Sequence, residues 1–313
     1  MNSLLFPGQG SQIVGMGTEF FKNYEQVKKI FKRADEKLDF HISKMILEGP
    51  MDELQLTKNT QPAILTVSYS IFKIMQDEFE LNLDLFKSFA GHSLGEYTAL
   101  VCSEALNFED ALFLLHERGK AMQEAVPVGK GSMLAVLGAD ISKVKEFIIN
   151  SNLSNGICEI ANDNAEGQVI VSGDTETINS FQSNLKKEKI KTIPLKVSAP
   201  FHCSLMKPAA DKMEEKINQT NFLKPKIEII SNVTTKPEKD PATIKKLLIS
   251  QIFSTVRWRE SIINISKMGV GNFIEIGPGK ALTGMVKRTI KNVNCFSINS
   301  IADIKILKDE LKK

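Results

Sequence analysis

The sequence predicts an α/β fold, in which a larger domain of alternating strands and helices is interrupted by a small βαββαβ unit. Two observations predict it. Short apolar runs of about five residues alternate with longer stretches whose apolar residues recur at helical spacing, the pattern of strands covered by helices. Between residues 130 and 196 the order becomes strand, helix, strand, strand, helix, strand. That is the split βαβ arrangement of a ferredoxin-like unit, which is self-contained and so reads as an insertion. The division is therefore 1–128 with 197–313 for a discontinuous large domain and 129–196 for the small subdomain.

Taken in order, Asn2–Phe6 is a short apolar strand ended by the loop Pro7-Gly8-Gln9-Gly10-Ser11-Gln12. Residues 18–38 and 59–80 show helical spacing, with Thr18 and Thr60 near their starts as candidate caps. Phe86–Ala90 is the next strand, followed by helices at 96–106 and 108–125. In the small unit the strands are Ser132–Leu137, Ile157–Ala161, Gln168–Val171 and Lys189–Leu195, with a polar turn at 162–167. Asp140 and Asp174 cap its two helices, 141–151 and 175–187. Beyond it come a helix at 204–219, a strand at Lys226–Ser231, helices at 241–251 and 257–268, and a strand at Asn272–Ile276. The turn Gly277-Pro278-Gly279, a helix at 280–290, a strand at 293–298 and a terminal helix complete the chain. Lys308, Lys312 and Lys313 read as a solvated face of that last helix.

Composition narrows the function. With 313 residues, 42% hydrophobic and 25% charged, the chain is of ordinary globular make-up. Lys+Arg 40 against Asp+Glu 37 leaves +3, too balanced to imply nucleic-acid binding by charge. No apolar stretch approaches the ~20 residues of a membrane span. The first 18 residues are uncharged but broken by Pro7 and four glycines, and without a basic start they do not match a secretory signal. Cys102, Cys158, Cys203 and Cys295 show neither CxxC nor metal-ligand spacing, so reduced thiols and no metal are expected. A cytoplasmic protein follows, or an organelle stroma if a presequence had been trimmed.

The chemistry concentrates in Gly91-His92-Ser93-Leu94-Gly95, a Gly-x-Ser-x-Gly lying between an apolar run and a helical one. This is the context of a nucleophile elbow, where the glycines let strand and helix approach while the serine projects outward. The competing reading is a tight turn whose serine only caps the helix. A serine nucleophile needs a base. His41 reads as a surface residue and His116 as packed or solvated within a helix. His92 adjoins Ser93, so its side chain diverges and suits support of the turn. His202, on an extended loop before a helix, is the candidate base. Oxyanion donors are the N–H of Leu94, after the nucleophile, and the Gly8-Gln9-Gly10 loop. That loop does not bind phosphate by a known pattern, since position 13 is Ile13 and no GxxxxGK[ST] occurs.

With these segments assembled, the chain resembles the malonyl-CoA:acyl carrier protein transacylases of fatty-acid synthesis, nearly end to end. The resemblance rests on Phe6–Gln12, Gln61-Pro62-Ala63, Gly91–Tyr97, Arg118-Gly119, Asn162 and Asn164, Phe201-His202, Asn232-Val233-Thr234, Val256-Arg257-Trp258 and Glu275–Lys280. It implies a hydrolase-like parallel-sheet core with an inserted ferredoxin-like subdomain. It implies that Ser93 carries the malonyl ester, that His202 is base and then acid, and that Gln251 orients His202 through its backbone carbonyl. Gln9 and Leu94 would hold the oxyanion, and Arg118 would clamp the malonyl carboxylate through two parallel hydrogen bonds. Phe201, Asn162 and Met133 would line the substrate site, Phe201 narrowing the space beside the acyl Cα. The implied partners are malonyl-CoA, as co-substrate, and an acidic acyl carrier protein, with no resident cofactor, no nucleic acid and no membrane; a monomer is expected. Lys186, Lys187, Lys189 and Lys191 could edge a docking surface, but such a run reads first as a solvated face. Two alternatives stand beside this. A serine esterase or thioesterase would use Asp163 or Asp174 as a third triad member, and a docking module would keep the fold without the chemistry.

Overall fold

The computed structural model describes residues 1–151, 153, 156–197 and 199–311, so Lys312, Lys313 and Ser198 lie outside the described residues. Among the described residues the strands are β1 (Asn2–Phe6), β2 (Phe86–Gly91), β3 (Gly131–Leu137), β4 (Cys158–Ala165), β5 (Gln168–Asp174), β6 (Lys191–Pro194), β7 (Glu228–Ile230), β8 (Pro237–Glu238), β9 (Asn272–Ile276) and β10 (Asn294–Ile298). They form two sheets. The larger has the order β10-β9-β1-β2-β7-β8, parallel throughout except for β8, which runs antiparallel to β7. Leu4, Leu5 and Phe6 of β1 are buried on both faces, as parallel strands covered by helices must be. The helix Thr57–Asp77 runs through this core and buries most of its circumference.

The smaller sheet has the order β4-β5-β3-β6 and is wholly antiparallel. Alternation decides what each face does. Leu134 and Val136 of β3, with Val169 and Val171 of β5, pack under the helices Ile141–Asn150 and Thr175–Lys187. Met133, Ala135 and Ile170 point the other way and join the main core. The small sheet is tied at β4 to the loop before the helix Trp258–Lys267: Asp163 N–H donates to the Val256 carbonyl at 3.0 Å and Val256 N–H to the Ala161 carbonyl at 2.8 Å.

Several expected elements differ in detail. The expected turn at 162–167 is mostly strand, because Asn162, Asp163 and Asn164 are buried and bonded across to the large domain, leaving only Glu166-Gly167 to turn. The expected helix 18–38 breaks at Tyr24, which is extended at φ −127°. Thr18 and Thr60 do not cap: the cap positions are Gly17 and Leu56, and the buried Thr60 hydroxyl donates to the Leu54 carbonyl. Asp174 stands at its cap position, but its carboxylate accepts from Ile157 N–H instead. Asp140 caps as expected, accepting from Lys143 N–H at 2.8 Å. Short helices at Ile42–Glu48 and Met51–Leu54 lacked a long enough period to be read from the sequence. Lys186, Lys187, Lys189 and Lys191 are exposed. Among the described residues no helix is long and apolar enough to cross a membrane.

Candidate active site

β2 ends at Gly91 and a helix begins at Leu94, so the chain reverses within His92 and Ser93. Gly95 N–H donates to the His92 carbonyl, Glu96 N–H to the Ser93 carbonyl, and His92 N–H to the Phe6 carbonyl at the end of β1. A Cβ on Gly91 would overlap the Gly95 carbonyl, and one on Gly95 the Phe6 carbonyl, so neither position tolerates a side chain. Ser93 has φ 53° and ψ −110°. A non-glycine residue stays in that strained region only where its surroundings over-determine it. Here Asn232 does so: its Oδ1 accepts from Ser93 N–H at 2.7 Å, and its Nδ2 donates to the Gly91 carbonyl at 2.8 Å. The Ser93 hydroxyl thereby opens on a cleft of ≈ 270 Å³ lined from both sheets, at the carboxyl ends of the parallel strands where open α/β sheets bind ligands.

His202 arrives from the loop after β6, itself at φ 60°. Its Nε2 lies 2.8 Å from Ser93 Oγ and its Nδ1 2.9 Å from the Gln251 carbonyl oxygen. A carbonyl only accepts, so Nδ1 carries the proton and Nε2 presents its lone pair to the serine hydroxyl. Gln251 is the last residue of the helix Pro241–Gln251, where carbonyls have lost their intrahelical partners. Its oxygen stands where hydrolase triads place a carboxylate. Burial, and then the Arg118 charge, push the imidazole down to about 3, so it is neutral and ready to accept a proton.

Arg118 projects from the helix Phe108–Glu124 and is fully buried. Nη1 donates to Gln61 Oε1 at 2.7 Å, and Nη2 to Gln251 Oε1 at 2.9 Å and to Ser93 Oγ at 3.0 Å. Its Nε has no hydrogen-bond partner, and burial lowers the guanidinium's pKa. A cation in this setting, hydrogen-bonded only to neutral groups, is suited to bind an anion. Gln9, Leu94, Phe201, Asn162 and Met133 line the same cleft. As the first residue of its helix, Leu94 has an N–H without an intrahelical acceptor.

The remaining candidates lie elsewhere. His92 Nε2 pairs with Asn164 Oδ1 at 2.8 Å and its ring stands edge-on to Trp258. His116 Nδ1 bonds the Lys58 carbonyl, and the His41 side chain is exposed. Both oxygens of Asp163 accept from Arg259, and Asp174 is engaged by Ile157, so neither carboxylate serves His202. Among the described residues no group of three or more His, Cys, Asp or Glu could hold a metal. Gln61 and Asn232 stand in the sequence only as parts of motifs; their partners are 57 and 139 residues away, which no local pattern reveals.

An acyltransferase family model, described as "Acyl transferase domain", matches residues 4–308. Among similar proteins, the malonyl CoA-acyl carrier protein transacylase of Bacillus subtilis is 40% identical over 99% of this chain and 97% of its own length. That of Salmonella typhimurium is 39% identical over 96% of each. A crystal structure of acyl-carrier-protein-S-malonyltransferase from Bartonella henselae superposes with a TM-score of 0.96 at 38% identity, covering 100% of this chain and 99% of that one. A malonyl-transacylase solved in complex with a type II PKS acyl-carrier protein gives 0.95 at 35% identity over 99% of both. A serine bonded to a buried arginine and to an imidazole that a backbone carbonyl orients thus sits in a chain whose whole length matches one group of enzymes, and the chain belongs to the acyl transferase domain family.

Proposed function

We propose that this enzyme moves a malonyl group from malonyl-CoA to the phosphopantetheine thiol of acyl carrier protein, by way of a malonyl ester on Ser93. The observation that carries the substrate class is Arg118, a buried guanidinium that touches the very oxygen to be acylated. Malonyl ends in a carboxylate two bonds from its thioester carbonyl. It can therefore pair with Arg118 while its carbonyl meets Ser93.

In the first half, Ser93 Oγ attacks the thioester carbon as His202 Nε2 takes its proton. The tetrahedral oxygen is assigned to the N–H groups of Gln9 and Leu94. The C–S bond then breaks, and the imidazolium returns the proton to the CoA thiolate. In the second half the carrier thiol gives its proton to His202, its sulfur attacks the malonyl-serine carbonyl, and Ser93 leaves protonated. Pairing of the malonyl carboxylate with Arg118 also neutralises the charge that lowers His202 basicity, so a carboxylate-bearing substrate strengthens the base. Phe201 and Met133 bound the acyl pocket, and Asn162 meets the polar part of the thioester arm. CoA enters as co-substrate, and no resident cofactor is called for. The cytoplasm is the proposed compartment, supported by four free cysteines of which three are buried.

The test is the fate of the acyl group. Purified enzyme with malonyl-CoA and holo-carrier protein is expected to load the carrier far faster than it releases malonate. Release of free malonate, with no loading, would make the enzyme an esterase.

A further inference from the structure

Ser93 and Glu96 form the Ser-x-x-Glu pattern in which the serine hydroxyl caps the glutamate N–H and the carboxylate caps the serine N–H. Here both partners are diverted. The Ser93 hydroxyl faces His202 and Arg118, and the Ser93 N–H is taken by Asn232 Oδ1. Glu96, only 3% exposed, turns inward: its Oε2 accepts from Gln251 Nε2 at 2.8 Å and from Asn232 N–H at 3.1 Å. Burying a carboxylate against two neutral amides is costly, and the helix gains no cap from it. What the two bonds do gather is the machinery. Asn232 clamps the elbow, while Gln251 lends its backbone carbonyl to His202 and its Oε1 to Arg118.

We propose that Glu96 is a positioning residue for acyl transfer: its carboxylate fixes which way the Gln251 amide faces, and so keeps Arg118 and His202 in register with Ser93. The inference rests on the malonyl-transfer reading above. With an acceptor at Nε2, the amide oxygen must face Arg118. Flipped, Nε2 would meet Arg118 Nη2, donor against donor, and Oε1 would meet the Ser93 carbonyl and Glu96, acceptor against acceptor. A neutral Glu96 weakens that constraint, because its own carboxyl can then donate and only Arg118 Nη2 and the Ser93 carbonyl still oppose the flip.

The charged and titratable groups facing Glu96 are Arg118 from the helix Phe108–Glu124, Glu238 of β8 and the adjoining Tyr97. Burial prevails, and the carboxyl is pushed up to about 7. It therefore ionises across neutrality, where His202, held down to about 3, does not titrate.

The experiment measures kcat/KM for malonyl-Ser93 formation from malonyl-CoA between pH 5.5 and 8.5, for the intact enzyme and Glu96→Gln. The intact enzyme is expected to gain roughly tenfold from acid to alkaline with an inflection near 7, since kcat/KM reports the free enzyme's ionisations. Glu96→Gln is expected to be roughly tenfold slower at pH 8, as misplacement of catalytic groups predicts, and to lose the inflection. A folded Glu96→Gln protein with the original rate and inflection overturns the proposal, as does one that is merely less stable but equally active per folded molecule. If that variant does not fold, the intact enzyme decides alone: an inflection near 7 supports the proposal and a flat profile overturns it. Complete failure of the intact enzyme to acquire malonyl overturns the underlying reading as well.

Discussion

Arg118 lies on the apolar stripe of its helix, in line with Ala111, Leu114, Leu115 and Met122, where a guanidinium has no water to solvate it. Its neutral partners hold it in place without cancelling its charge. Arg118→Ala is therefore expected to lower kcat/KM for malonyl-CoA by roughly 3–5 kcal/mol, a hundredfold or more, as loss of one partner from a buried ion pair does. Acetyl-CoA should be affected much less, so parallel assays of the two thioesters check it. Unchanged discrimination would place the carboxylate somewhere other than Arg118. At this scale the sequence was unevenly legible. Ser93 announces itself because an elbow needs its glycines within two residues, whereas Arg118, flanked by Glu117 and by Lys120 two residues on, reads as a surface helix arginine and enters only through the resemblance. Gln251 offers no such mark, because it serves His202 through a backbone carbonyl that every residue possesses. Asn232 acts on an elbow 139 residues earlier in the chain.

The elbow and β4 are the elements on which the site is built. At the elbow, β1 and β2 run parallel with Phe6 beside Gly91, and the helix starting at Leu94 folds back over that pair. Gly95→Ala would drive a methyl group into the Phe6 carbonyl, backbone that cannot move without shifting the central sheet. A destabilisation of about 4 kcal/mol or more is expected, the range of severe steric defects in a core. Urea denaturation measures it, and a loss under about 1 kcal/mol would mean that the turn relaxes more easily than its geometry indicates. β1, β2, β7 and β9 were legible as short apolar runs because they are largely buried on both faces, whereas the two-residue β8, polar and partly exposed, was not expected. β4 was not legible to its end, since residues 162–164 are polar: Asn164 serves His92, and Asp163 serves Arg259 on the helix Trp258–Lys267. Polar residues in a strand look like a turn until the partner that buries them is known.

Over the whole molecule, the cleft lies where the small sheet's second face closes against the carboxyl edge of the large one. The burial that creates it also sets how stability depends on pH. Glu96 is raised in the folded state from 4.5 to about 7, so its stabilising contribution is complete below pH 4.5 and is lost as pH rises through 7. His202, lowered from 6.5 to about 3, works in the opposite sense and loses stability as pH falls. Glu96→Gln is accordingly expected to be more stable than the natural protein at pH 8 by about 3 kcal/mol. The difference should shrink towards zero by pH 4.5, as chemical denaturation at the two pH values would show. A difference independent of pH would contradict the buried-carboxylate assignment. The α/β alternation and the inserted antiparallel unit were both legible, because each follows from the order of strands and helices; the closure of one sheet on the other was not, since it depends on contacts between distant segments.

The most direct measurement is intact-protein and peptide mass spectrometry after incubation with malonyl-CoA, followed by addition of holo-carrier protein. One malonyl mass on the peptide bearing Ser93, absent from Ser93→Ala and removed by the carrier, is the expected result. Malonyl on another residue, or none on a folded protein that still loads the carrier, would contradict the account.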